Sequence, residues 1–269
     1  QGYSLIAFPE GSRTDTAKMR RFHKGSFYLA EQLHLDIVPV VIHGTSQISP
    51  KGDFIINDGN LTAKILPRIS AENTDYGEGY AQRTKKISKY FKGAFTSLQQ
   101  EVEGVKHYQR EVLNNYRYKT CFSEVKKHVF KHIENWYVLA NQIDYNASII
   151  TLTDDHGALP IYLSYKKPNA KITGILTSQE ARKIAQGCFS VKRTTIQFVD
   201  LHTVLPSKIN VFLLDTLKVD SQMIQDIIKN EEITKIIAGN GKELIASYLT
   251  TSFECVIEGE CTVWKRRQT

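Results

Sequence analysis

The sequence predicts an α/β protein in three regions: a short α/β stretch at the start, a basic helical segment, and then a doubly wound, mostly parallel sheet ending in an antiparallel hairpin. Three observations predict it. Short apolar runs alternate with helix-period segments over residues 1–75 and again over 144–269. The residues between them, 76–143, carry helical periodicity and no strand pattern. The last two apolar runs, Cys255 to Glu258 and Thr262 to Lys265, flank Gly259 as the arms of a hairpin do.

In the first region Leu5-Ile6-Ala7 reads as a strand that leads into a turn, Phe8-Pro9-Glu10-Gly11-Ser12-Arg13. Gly25 to Leu35 reads as a helix, because Phe27, Leu29, Ala30 and Leu33 recur at its spacing. Ile37 to Ile42 is a second strand. Phe54-Ile55-Ile56 and Thr62 to Leu66 close the region as strands, parted by the turn residues Asn57-Asp58-Gly59-Asn60.

The middle region opens with an amphipathic helix from Glu78 to Val102. Ile87, Tyr90, Phe91, Phe95 and Leu98 form its apolar stripe, and Arg83, Lys85, Lys86, Lys89 and Lys92 occupy its polar side. Two readings fit: an interfacial helix on anionic lipid, or a bridging helix with a solvated basic face. A helix from Phe122 to Gln142 follows, its stripe formed by Val125, Val129, Ile133, Trp136 and Ala140. Glu124, His128 and His132 stack one turn apart on it. That order is not the His-Glu-x-x-His zinc pattern, so no metal site is expected.

In the last region the strands are Ile149 to Leu152, Ile172 to Leu176, Thr195 to Val199, Asn210 to Leu214 and Ile233 to Ala238. Helices are expected from about Ala158, from Ser178 to Gly187 with Ser178 as N-cap, and from Ser221 to Lys229. Repeated β-α units of this kind form a parallel sheet covered on both faces.

Composition narrows the function classes. The 269 residues are 41% hydrophobic, which supports packed cores rather than disorder. No run reaches the roughly 18 apolar residues that a membrane-spanning helix requires. Cys121, Cys188, Cys255 and Cys261 form no Cys-x-x-Cys pair, so free thiols are expected. The net charge is +7, and residues 81–131 hold 12 Lys and Arg against 4 Asp and Glu. That belt suits an anionic membrane face or an acidic partner. No recognition motif accompanies the charge, so nucleic acid is not an expected partner.

The sharpest local signal is Phe8 to Arg13. Gly11 lets backbone approach an anion closely, and Arg13 offers a planar fork to a phosphate or carboxylate. Phe22-His23-Lys24-Gly25 and Val38-Pro39-Val40-Val41-Ile42-His43-Gly44 follow in order. Together these three motifs resemble the glycerolipid acyltransferase family, which includes the lysophosphatidate acyltransferases, over about the first seventy residues. The resemblance implies that 1–75 is the C-terminal part of a truncated acyltransferase α/β domain. It places Glu10, Gly11, Ser12, Arg13 and Lys24 at the acceptor's phosphate or glycerol, and Pro39 on the acyl-donor side. It implies acyl-CoA or an acyl-carrier protein as donor and a lysophospholipid-type acceptor. The family's general base belongs to a His-x-x-x-x-Asp motif upstream of Phe8. No histidine precedes His23, so the catalytic pair is absent from this chain, and the fragment alone is expected to be inactive.

From 144 onward the element order resembles class I S-adenosylmethionine-dependent methyltransferases, the terminal hairpin included. The family's turn Asp-x-Gly-x-Gly-x-Gly falls on Thr151 to Gly157, where only Gly157 remains; Thr153 and Asp155 replace glycines. The acidic ribose-binding position falls at Leu176 or Thr177, and Asp200 matches an adenine-contacting acidic position. The resemblance therefore implies a degenerate fold without its cofactor. Asp154-Asp155-His156 reads either as an exposed polar turn or as an acid/base cluster. A non-catalytic docking module and a working methyltransferase remain as alternatives to acyl transfer. The domain order is also similar to the C-terminal portion of bacterial fusion proteins that begin with an MMPL-type lipid exporter. That likeness implies a soluble piece at the cytoplasmic face of the inner membrane, belonging to a larger membrane protein.

Overall fold

A computed structural model describes residues 4–13, 19–49, 51, 56–200, 209–215, 221–239, 242–246, 248–249, 252–257 and 262–267. Its contacts divide the chain into two compact units, Gln1–Gly104 and Val105–Thr269. The helical stretch expected over 76–143 is shared between them, one long helix in the first unit and two in the second.

In the first unit α1 (Gly25–Gln32), β1 (Val40–His43), α2 (Thr45–Ile48), β2 (Thr62–Ile65) and α3 (Tyr80–Val102) follow one another. β1 and β2 pair antiparallel, Val40 opposite Ile65 and His43 opposite Thr62, and an isolated bridge joins Ile37 to Ile69. The core is small: Phe22, Phe27, Ile69 and Ile87, with Met19, Tyr90 and Phe91 packed against it. Phe22 stacks on Phe27 at 6.2 Å and meets Phe91 edge-on at 5.2 Å.

The expected strand at Leu5-Ile6-Ala7 does not form. Those residues have no ladder partner among the described residues and lie exposed, Ile6 at 83%. A strand is stable only when a neighbour takes its N–H and C=O groups, and among the described residues β1 and β2 pair with each other and with no third strand. Ile56 is likewise exposed and outside any strand; Phe54 and Ile55 lie outside the described residues.

The basic side of α3 is partly engaged in structure. The Arg83 guanidinium donates to the Ala71 and Ser70 carbonyls at 2.6 and 3.0 Å, and the Lys86 ammonium to the Asp75 carbonyl at 3.0 Å. Lys85, Lys89 and Lys92 face solvent.

The second unit opens with α4 (Val105–Asn114) and α5 (Phe122–Asn141), followed by β3 (Ser148–Thr153), α6 (Ala158–Lys166), β4 (Lys171–Ile175), α7 (Gln179–Gln186), a 3₁₀ turn (Val191–Arg193) and β5 (Ile196–Val199). It continues through β6 (Val211–Asp215), α8 (Ser221–Lys229), β7 (Lys235–Ala238), α9 (Lys242–Ala246), β8 (Phe253–Ile257) and β9 (Thr262–Arg266). The seven strands lie in the order β5-β4-β3-β6-β7-β9-β8. Five are parallel, β9 runs antiparallel to β7, and β8 pairs antiparallel with β9. The sheet is thus doubly wound, with β3 at the switch point and the expected hairpin closing one edge.

Two hydrophobic clusters cover the sheet's opposite faces. On one of them α6 is buried from Ala158 to Ser164, which is why its sequence lacks an apolar and a polar side. α7 starts at the expected cap: the Ser178 hydroxyl accepts the Ala181 N–H at 3.2 Å. Among the described residues no helix is long and apolar enough to cross a membrane.

Candidate functional site

The first unit brings two sequence motifs together. The Gly11 N–H donates to the Phe8 carbonyl at 3.0 Å, closing a tight turn, and Gly11 itself has φ of +71°. The His23 N–H donates to the Pro9 carbonyl at 2.7 Å, and a Cβ on Gly11 would stand 2.9 Å from His23 Cδ2. Only glycine holds this backbone and leaves room for that ring. Phe22, anchored in the core, fixes where His23 and Lys24 emerge.

The Arg20 backbone N–H donates to Glu10 Oε2 at 2.6 Å, and its guanidinium to Ser12 Oγ at 2.7 Å. Arg13 is exposed, its guanidinium donating to Ser49 Oγ at 3.3 Å. Lys24 is exposed at the start of α1, and Pro39 is buried just before β1, its carbonyl accepting the Leu66 N–H. The result is an exposed turn bearing Arg13 and tied to Arg20 through Glu10 and Ser12. Arg20 is a member that motif reading missed, because nothing in its spacing distinguishes it from Lys18 or Arg21.

A partly buried pair lies elsewhere in the same unit. His43 Nε2 lies 2.7 Å from Glu103 Oε1, and Gln99 Nε2 donates to that carboxylate at 3.2 Å. It joins β1 to the end of α3. Gly44, in the left-handed region at φ +100°, turns the chain there, and a Cβ would collide with the Asn60 carbonyl.

In the second unit the turn after β3 occupies the place where doubly wound sheets take nucleotides, at the carboxyl ends of the strands beside the switch point. Asp155 is not an exposed turn residue as one sequence reading had it: it is 2% exposed. Its Oδ1 accepts Thr153 Oγ1 at 2.7 Å and the Gly157 N–H at 2.9 Å, and its Oδ2 accepts the Leu159 N–H at 2.7 Å. A buried carboxylate is tolerable because it meets these donors at the start of α6. Asp154 faces solvent.

His156 and Gly157 both have positive φ, 56° and 85°. The Tyr116 hydroxyl donates to the His156 carbonyl at 2.8 Å. Burial holds that phenol's pKa well above its ordinary value. Asp200 is half-exposed, with Arg182 at 3.9 Å, and the Arg182 guanidinium also donates to the Leu176 carbonyl at 3.1 Å. Of the two residues expected at the ribose position, Leu176 is buried and Thr177 exposed.

The stacked Glu124, His128 and His132 turn to different neighbours. The two rings lie 4.4 Å apart, His128 meets Trp136 at 5.8 Å, and the Glu124 carboxylate lies 3.9 Å from His156 Nε2. Cys121 and Cys188 are buried free thiols and Cys255 an exposed one; Cys261 lies outside the described residues. Burial pushes Cys188 up to about 12 and raises Cys121 as well.

Comparison with known proteins places residues 1–43 in the match to the acyltransferase family model. The chain is 41% identical over 70 residues to a 1-acyl-sn-glycerol-3-phosphate acyltransferase of Limnanthes alba, covering 26% of this chain and 25% of that protein. It is 45% identical over 73 residues to the enzyme of that name from Saccharomyces cerevisiae, covering 26% and 24%. The chain thus spans about a quarter of the length of the curated relatives it matches.

Solved structures similar to it include M. capricolum TrmK in complex with its natural cofactor product S-adenosyl-homocysteine (TM-score 0.36, 18% identity, 50% of this chain and 68% of that one). Another is TrmN of Thermus thermophilus (TM-score 0.38, 10% identity, 50% and 48%). The strand order, with an antiparallel β9 inserted between β7 and β8, carries the fold assignment by itself. The chain therefore opens with sequence similar to the acyltransferase family over residues 1–43 and continues as a doubly wound α/β domain whose one edge is closed by an antiparallel pair.

Proposed function

We propose that the first unit is the acceptor-binding part of a lipid acyltransferase that moves an acyl group from acyl-CoA or acyl-carrier protein to a lysophospholipid-type hydroxyl. One observation carries this reading: Phe8–Arg13 and Phe22–Gly25 meet in a single exposed turn that bears Arg13, is tied to Arg20 and is closed by Gly11 against His23. The Arg13 and Arg20 guanidinium groups suit a phosphate ester, because each can donate two parallel N–H bonds to it. Lys24 adds a third cation, and the resemblance, not a contact, assigns Pro39 to the donor side.

In this reaction the acceptor's hydroxyl oxygen bonds to the acyl carbon, the carbon–sulfur bond breaks, and the hydroxyl proton passes through a base to the departing thiolate. None of the chain's eight histidines has an aspartate five residues on, the spacing that base motif requires. The base is therefore supplied by sequence outside these 269 residues, and the chain by itself is inactive. Lys85, Lys89 and Lys92 suit an anionic membrane surface on the cytoplasmic side of a bacterial inner membrane, where each exposed Lys adds about 1 kcal/mol.

The test uses the parent protein with its His-x-x-x-x-Asp segment. Arg13→Ala is expected to raise the lysolipid KM at least tenfold with a smaller change in kcat. An unchanged KM removes the assignment. The 269-residue chain assayed in parallel is expected to show no transfer.

A further inference from the structure

We propose that the methyltransferase-like unit folds and works without S-adenosylmethionine, because its own Asp155 carboxylate fills the role that a bound anion would take. The inference is independent of the acyl-transfer reading: it concerns Val105–Thr269 alone.

In a doubly wound sheet the turn between the switch-point strand and its helix binds ligand through free N–H groups at the helix start. Glycines there keep side chains out of the way. Here the N–H groups of Gly157 and Leu159 already donate to the two Asp155 oxygens, at 2.9 and 2.7 Å, and the Thr153 hydroxyl donates to one of them. Asp155 and Thr153 are both buried, so the interaction is internal to the fold rather than a solvent-exchanged substitute. A ligand carboxylate would have to displace a covalently tethered one.

The space that glycine would leave for a ligand is also used. A Cβ on Gly157 would stand 2.8 Å from the Phe198 ring, and one on Gly174 would stand 2.7 Å from it. These two glycines therefore admit a phenyl ring, and Phe198 is itself buried. Neither Leu176 nor Thr177, the two candidates for the ribose position, offers a carboxylate to a sugar diol, and the Leu176 carbonyl accepts Arg182. That guanidinium also lies 3.9 Å from Asp200, the residue that matches an adenine-contacting acidic position.

The turn is braced as well. Tyr116, fully buried, donates to the His156 carbonyl; Asn115 Oδ1 accepts the Ser190 N–H at 3.1 Å; the Lys119 ammonium donates to the Gly187 carbonyl at 3.1 Å. The connection between α4 and α5 thus ties the turn, the end of α7 and the 3₁₀ segment together. Opening the cradle would break these bonds as well as those of Asp155.

Two measurements on the whole chain test this. Calorimetric titration with S-adenosylmethionine and with S-adenosyl-homocysteine to 1 mM is expected to show no saturable heat, with Tm unmoved; binding with a Kd below 1 mM in either titration overturns the proposal. Amide hydrogen exchange without ligand is expected to be slowed at Gly157 and Leu159 by at least about 100-fold. Exchange there at the rate of an open amide means that the carboxylate is not holding the turn, and equally overturns it.

Discussion

Asp155→Ala tests how much one internal carboxylate contributes to the second unit. The side chain accepts three hydrogen bonds in a site only 2% exposed. Losing a helix cap costs about 1 kcal/mol. The two further donors left buried without a partner cost about 1–3 kcal/mol each. Removing a buried charge offsets part of this, since its desolvation no longer has to be met. The net expectation is a loss of about 3 kcal/mol. At roughly 2–4 °C per kcal/mol for a unit of this size, its Tm falls by about 6–12 °C. Asp155→Asn keeps one acceptor and the shape, so about half the loss is expected. Urea unfolding followed by tryptophan fluorescence, checked by calorimetry, measures both variants. If Asp155→Ala changes stability by less than about 0.5 kcal/mol, the carboxylate is not engaged as described.

Other expectations concern both units. Phe22→Ala removes the ring that joins α1 to α3 and should cost the first unit about 3–5 kcal/mol, whereas Phe22→Leu should cost less; equal melting temperatures for wild type and Phe22→Ala would contradict the packing. Gly44→Ala puts a Cβ into the Asn60 carbonyl at a positive φ, and circular dichroism on heating should show the first unit melting early. The second unit should lose stability as pH rises above about 9. The Cys188 thiol is pushed up to about 12 in the fold, so below pH 9 folded and unfolded chains both keep the proton. Between 9 and 12 only the unfolded chain gives it up, which favours unfolding. Urea midpoints for wild type and Cys188→Ala should diverge over that window, and parallel pH profiles would rule the effect out.

Much of the second unit was legible in the sequence because parallel strands buried on both faces are continuous apolar runs. Ile149 to Leu152 and Ile236 to Ala238 have no other stable environment. Ser178 marked a helix start for a local reason, a hydroxyl three residues before the N–H it accepts. The helix α4 was not legible. Its inward face carries His107 and Glu111 beside Tyr108 and Val112, so buried polar groups hide its periodicity. The strand expected at Leu5-Ile6-Ala7 failed for the opposite reason: an apolar run states a preference for burial but not whether a neighbouring strand is present.

Within the candidate sites, Gly11 and Arg13 were visible because their chemistry is local. Arg20 joined them through a loop closure, and Glu103 reached His43 across 60 residues, which no spacing rule anticipates. Asp155 was legible as a departure from a glycine pattern. Its inward turn was not, since a short acidic stretch usually faces water and only the donors at the start of α6 reverse that.

The Phe198 ring between Gly157 and Gly174 links three positions on three different elements. Neither glycine can gain a methyl group while the ring stays, so a lineage that acquired alanine at 174 would have to exchange the phenylalanine for something smaller in the same step or soon after. Any collection of descendants of this chain should therefore show those sites changing as a set, with leucine or valine at 198 accompanying a larger residue at 174.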